Sequence, residues 1–204
     1  MSATKIDLKR ELHELYTARR KPGIVDVPEL KFLMIDGHGD PNTSADYGHA
    51  IEALYSVAYT LKFTLKKEGS LDFPVMPLEG LWWSEKPDDF IAGRKASWSW
   101  TAMLLQPDVV TDELVADATD AASDKRALPA AGLLRLESFS EGLSAQVLHV
   151  GPYADEEPTI TCLHDFIAEE GYVRRGKHHE IYLGDPRRSA PDRLRTIVRQ
   201  PIGH

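Results

Sequence analysis

The sequence predicts an α+β fold: duplicated strand–helix–strand–strand repeats forming one antiparallel-rich sheet with helices on one face. Three observations carry this. Apolar runs of strand length recur between Gly, Pro and Asp turns at residues 30–36, 77–84, 97–105, 144–150, 178–183 and 194–200. An amphipathic helical segment follows the first strand of each set. A glutamate stands at comparable points of the two sets, in Glu79-Gly80-Leu81-Trp82 and Glu180-Ile181-Tyr182-Leu183. Neither repeat buries both its surfaces alone, so the two are expected to join in one sheet.

In chain order, Leu8, Leu12, Leu15 and Tyr16 share one helical face and predict a short amphipathic helix over residues 7–20, ended by Pro22-Gly23. The run LKFLMID predicts a strand, closed by the Gly37-His38-Gly39-Asp40-Pro41 turn. Tyr47, Ala50, Ile51, Leu54, Val57, Ala58 and Leu61 recur at helical spacing, with Thr43 or Ser44 as the cap. Strands follow at 77–84 and 97–105. An Ala- and Asp-rich stretch predicts an exposed helix beginning near Thr111, and residues 133–139 a short strand. The first pattern then returns. Strand 144–150 stops at Gly151-Pro152. Asp155, Glu156 and Glu157 supply negative charge where a helix begins, Pro158 suits its first turn, and Gly171 is placed to end it. The expected organisation is an N-terminal helix and linker at 1–29, then a domain at 30–204 with repeats at about 30–105 and 143–201.

Composition narrows the function classes. The chain has 204 residues, 42% hydrophobic and 27% charged, an ordinary globular balance. Its single cysteine, Cys162, excludes an internal disulfide and suits a reducing compartment. The first twenty residues carry charges throughout, which is not a secretory signal, and no apolar run is long enough to span a bilayer. A cytoplasmic protein without membrane partners is the expectation. Net charge is −8. Nucleic-acid binding draws on clustered cations, whereas here only Arg19-Arg20-Lys21 and Arg174-Arg175 cluster, so no nucleic-acid partner is expected. An acidic surface mildly favours neutral or cationic small ligands.

Several residues are candidates for chemistry. Strand alternation places His178, Glu180 and Tyr182 on one face, and His179, Ile181 and Leu183 on the other. By spacing alone Glu180 reads first as a solvated strand glutamate. Placed among aromatic rings, it would have a raised pKa and could counter a cation or deprotonate a water. Glu79 is its counterpart in the first repeat. Four tryptophans fall between residues 82 and 100: Trp82, Trp83, Trp98 and Trp100. Core packing is their ordinary role, and a cage that stacks on flat or cationic ligands is the alternative. Tyr153, in a Gly-Pro-Tyr turn, and Tyr47 could line such a site. His178 and His179, adjacent in a strand, point to opposite faces and cannot readily share an ion, so no metal site is expected. Cys162 reads as structural. Gly37-His38-Gly39 lacks the glycine spacing of a dinucleotide loop, and no cofactor is expected. The arginines at 193, 195 and 199 read as a solvated edge or face.

The segments Pro77-Leu78-Glu79-Gly80-Leu81-Trp82-Trp83, His149-Val150-Gly151-Pro152-Tyr153 and Gly176-Lys177-His178-His179-Glu180-Ile181-Tyr182-Leu183-Gly184-Asp185-Pro186 resemble the GyrI-like small-molecule-binding family, in order and spacing over residues 30–201. The resemblance implies a groove for bulky, planar, often cationic compounds. It is sharpest with a stand-alone subgroup that hydrolyses the strained cyclopropane of DNA-alkylating natural products within an aromatic cage. It assigns Glu180 and Tyr153 as catalytic, and Glu79, Trp83, Trp98, Trp100, Tyr47, Tyr182 and His178 to the ligand. Two functions stay open at this point: a hydrolase in which Glu180 activates water, and a non-catalytic protein that sequesters or senses small molecules.

Overall fold

The computed structural model describes residues 3–85 and 94–204. Its elements, in order, are β1 (Thr4–Lys5), α1 (Leu8–Glu11), β2 (Gly23–His38), α2 (Ala45–Lys67), β3 (Leu71–Asp72), β4 (Glu79–Trp83), β5 (Ser99–Leu105), α3 (Asp112–Ser123), β6 (Arg135–Val150), α4 (Glu157–Glu169), β7 (Val173–Arg174), β8 (His178–Tyr182) and β9 (Arg195–Gly203). The class is α+β, and its main ladders are antiparallel. Among the described residues no helix is long and apolar enough to cross a membrane.

Two units divide the chain. The first comprises Met1–Glu11, Leu30–Met76 and Trp83–Phe139. Here β2 and β5 pair antiparallel from Phe32↔Leu105 to His38↔Ser99, and β1 pairs β3 in a small parallel ladder. Helix α2 starts where Ser44, in an extended conformation, accepts a hydrogen bond from the Tyr47 amide at 3.4 Å. It buries Ala50, Ala53, Leu54, Val57, Ala58, Leu61 and Leu65, and lies against α3 and β5. Thr111 caps α3 in the same way, accepting from the Leu114 amide at 3.3 Å.

The second unit comprises Leu12–Glu29, Pro77–Trp82 and Ser140–His204. Its strands run in the order β4-β8-β9-β6, all antiparallel, with β7 on the last residues of β9. Helix α4 covers one face: Leu163 and Ile167 pack with Ala145, Val147, Val198 and Ile202. It ends at Gly171, whose φ of +79° favours glycine, with the Tyr172 amide bonded back to the Ile167 carbonyl.

The short strands β1, β3 and β7 are not expected from the sequence, β2 begins at Gly23 inside the predicted linker, and two further elements differ from the sequence expectation. The strands predicted at 133–139 and 144–150 are one, β6, within which Gly142 takes a φ of +72° that favours glycine. The helix predicted over 7–20 is only the single turn α1. Beyond it the backbone carbonyls of Glu14, Leu15 and Thr17 accept hydrogen bonds from the side chains of Gln146 and Arg199.

Candidate functional site

The β4–β8–β9 ladder sorts the candidate residues onto two faces. Paired residues share a face, so the pairs Gly80↔Glu180 and Glu180↔Val198 put Glu180 on the face that α4 covers. The pairs Glu79↔Ile181 and His179↔Arg199 define the opposite face.

On the α4 face the side chains of β8 form a hydrogen-bonded row. The Tyr182 hydroxyl donates to Glu180 Oε2 at 2.7 Å, and His178 Nε2 meets Glu180 Oε1 at 3.1 Å. A ring nitrogen beside a carboxylate carries the proton, so His178 is the donor. Trp82 Nε1 donates to the Tyr182 oxygen at 3.1 Å. The Tyr153 ring stands edge-on to Tyr182, with centroids 5.4 Å apart at 73°. His178 is buried, the Glu180 side chain is 13% exposed, and Tyr153 is among the exposed large hydrophobic residues at 36%. The result is a carboxylate held in a fixed direction by an imidazole and a phenol, with a second phenol ring packed edge-on against the first. Such a group is equipped to take a proton from water or to counter a cation.

The opposite face holds a buried ionic cluster. His179 Nδ1 lies 3.0 and 3.1 Å from the two Glu141 oxygens, and its Nε2 lies 3.0 Å from Glu79 Oε2. With a carboxylate at each nitrogen the ring is an imidazolium donating twice. Burial alone would lower its pKa, but the charge and hydrogen bond of Glu141, and then Glu79, overcome this and push it up to about 9. Burial likewise works to raise the Glu141 pKa, yet His179 and Arg199 hold it below its ordinary value. Arg199 donates to Glu141 at 3.2 Å and to Gln146 Oε1 at 3.1 and 2.9 Å. The Tyr16 hydroxyl donates to Glu79 Oε1 at 2.6 Å, and burial followed by the Glu79 charge raises the Tyr16 pKa well above its ordinary value.

The predicted residues are thus distributed unevenly. His178, Glu180, Tyr182 and Tyr153 come together. Glu79, the counterpart that the resemblance assigns to the ligand, lies on the other face from Glu180, 1% exposed, between Tyr16 and His179. Arg199, expected in a solvated edge, is 2% exposed within this cluster. In the first unit Trp100 is buried, with Tyr47 edge-on at 5.0 Å, while Trp83 and Trp98 are half-buried. Cys162 is exposed on α4. It borders an open surface hollow of about 710 Å³, lined also by Lys21, Pro22, Glu157, Pro158, Thr161, Asp165, Phe166 and Glu169, and by none of the Glu180 group. Tyr16 and Glu141 are not site candidates in the sequence reading, and Trp82 is one only as a member of the tryptophan cluster. Only Trp82 carries a further signal, its place in the Glu-Gly-Leu-Trp segment.

Among known proteins, the pattern of the GyrI-like small molecule binding domain matches residues 20–202. Among solved structures the chain is similar to an uncharacterized conserved protein from Listeria innocua, at 40% identity and TM-score 0.90, over 97% of this chain and 100% of that one. It is also similar to two Listeria innocua proteins described as hydrolases. One is 38% identical with TM-score 0.85, over 97% of this chain and 100% of the other. The second is 39% identical with TM-score 0.88, over 98% of this chain and 100% of the other. No curated protein matches the chain.

Proposed function

Since the chain belongs to the GyrI-like small-molecule-binding family, we propose that it is a hydrolase that opens strained, cyclopropane-containing alkylating compounds, with Glu180 as the general base. The observation that carries this reading is the Glu180 carboxylate, aimed by His178 and Tyr182 with little solvent around it. The similarity to the two Listeria hydrolases supports hydrolysis as the reaction type.

In this mechanism Glu180 takes a proton from water as the water oxygen bonds to a ring carbon. The ring C–C bond breaks, and its electron pair moves toward a conjugated carbonyl oxygen. Tyr153 donates a hydrogen bond to that oxygen. Tyr182 and His178 keep the carboxylate in one orientation, which lowers the reorganisation needed at the transition state. In their own unit, the half-buried Trp83 and Trp98 are assigned to stacking on planar ligands, with Tyr47 and Trp100 packed as support. Glu79 is assigned to the buried cluster.

A second reading is capture without turnover, which the family's description as a small-molecule-binding domain favours. The Glu180→Gln variant keeps shape and hydrogen-bonding capacity but removes charge and basicity. A general base predicts that turnover of a cyclopropane-containing alkylating compound, followed by product mass, falls about 100-fold or more while a neutral analogue still binds. A counter-ion predicts instead that cationic ligands weaken by about 1–3 kcal/mol and neutral ones do not. If neither quantity moves, Glu180 has no part in the site.

A further inference from the structure

Helix α2 spends one face on the interior, through Ala50, Leu54, Val57, Leu61 and their neighbours. A second apolar stripe runs along its outside. Tyr55, Tyr59 and Phe63 recur at four-residue spacing and stack ring on ring. Their centroids are 6.3 and 6.2 Å apart, at 27° and 22°. Tyr59 is 46% exposed and Phe63 59%. Single exposed apolar side chains are ordinary, but a continuous ladder of rings, with Tyr55 half-buried and the other two exposed, marks a contact surface.

Charge continues the stripe at both ends. About one turn before Tyr55, Glu52 pairs with Arg126 at 2.9 Å. About one turn after Phe63, Lys66 pairs with Asp72 at 2.8 Å, and Lys67 is exposed beside it. The sequence of the stripe is therefore acidic, aromatic, aromatic, aromatic, basic. That order reads as its own complement when reversed.

We infer that the outer face of α2 is a self-association surface, covered by the same helix of a second copy lying antiparallel about a two-fold axis at Tyr59. In that pairing Tyr59 meets its equivalent, Tyr55 meets the partner's Phe63, and Glu52 meets the partner's Lys66. Each end then carries a row of alternating charge: Arg126, Glu52, the partner's Lys66 and the partner's Asp72. A two-fold interface must be self-complementary, and this stripe is. A parallel arrangement would set like charges against each other at both ends and align the two helix dipoles, so the antiparallel one is selected.

Sedimentation velocity on the full chain tests this. The expected mass is twice the 22.8 kDa of one chain. Phe63→Glu puts a charge into the stripe and is expected to weaken association about 10-fold or more, with an unchanged circular dichroism spectrum. Tyr59→Glu serves if Phe63→Glu does not fold. Tyr59→Cys, made in a Cys162→Ser background, is expected to form an interchain disulfide under oxidation, because position 59 lies on the axis. A single-chain mass for the native protein at high-micromolar concentration overturns the inference. So does a dimer whose affinity neither charged variant changes, or a dimer that Tyr59→Cys fails to cross-link.

Discussion

Across the β4–β8 ladder Glu180 faces Gly80, and this pairing decides what surrounds the carboxylate. A Cβ at position 80 would stand 2.7 Å from Trp82 Nε1, closer than side chains approach. Without it the indole lies over the strand, its N–H reaches the Tyr182 oxygen, and the Tyr182 hydroxyl in turn reaches Glu180. Gly80→Ala should therefore displace the indole, at a cost of about 1–3 kcal/mol for the overpacking. On the proposed reading it should also slow turnover with Glu180 untouched. Thermal unfolding and turnover on this one variant check both, and an alanine tolerated in both respects would show that the indole position does not matter. Strand alternation was enough to place His178, Glu180 and Tyr182 on one face, since it needs only neighbouring residues. The Glu79–His179–Glu141–Arg199 cluster had no such local signature. A buried Arg199 makes sense only once the fold brings the Glu141 carboxylate within 3.2 Å of it, from 58 residues away.

At the scale of elements, the caps were readable because a cap is a local event. Thr111 and Ser44 each satisfy one amide that the first turn leaves without a partner. Thr111→Ala should cost about 1 kcal/mol, which in a chain of this size lowers Tm by about 2–4 °C. The control is Thr111→Ser, which keeps the hydroxyl that accepts from the Leu114 amide and should leave the helix unchanged in helicity. An equal loss of α-helical signal for both would show that the Thr111 hydroxyl is not what starts α3. Helix α1 shows the limit of local reading. Leu8, Leu12, Leu15 and Tyr16 have a helical period. Yet Leu15 and Tyr16 are buried in another way, and side chains from β6 and β9 bind the carbonyls that a helix would have used itself. Tertiary hydrogen bonds to charged and amide groups outweigh a few tenths of a kcal/mol per residue of helix propensity.

For the whole molecule, the buried cluster makes stability depend on pH in a direction that can be worked out. His179 has an ordinary pKa of 6.5, which the fold raises to about 9. The folded state therefore holds this proton more tightly than the unfolded state. The stabilisation is complete below pH of about 6.5 and is lost as pH rises toward about 9. The shift corresponds to something on the order of 3 kcal/mol, or roughly 10 °C in Tm for a chain of this length. Glu141 acts with the opposite sign. Its folded pKa lies below the ordinary value of 4.5, so its contribution is present above that value and is lost as pH falls further. Stability should thus be greatest between about pH 5 and 6.5 and decline on both sides. The alkaline decline belongs to His179 alone among these two groups, which separates it from general acid unfolding. His179→Gln keeps hydrogen bonding to one carboxylate but cannot be charged. It should be less stable than the native chain at pH 6, because Glu79 and Glu141 lose their shared cation. Its Tm should nevertheless stay nearly flat from pH 6.5 to 9.5, where the native protein falls. The slope, rather than the absolute Tm, is the decisive quantity. A native Tm that is flat or rising over that interval, or a variant that falls in parallel with it, would mean that His179 is not the imidazolium its two carboxylates require.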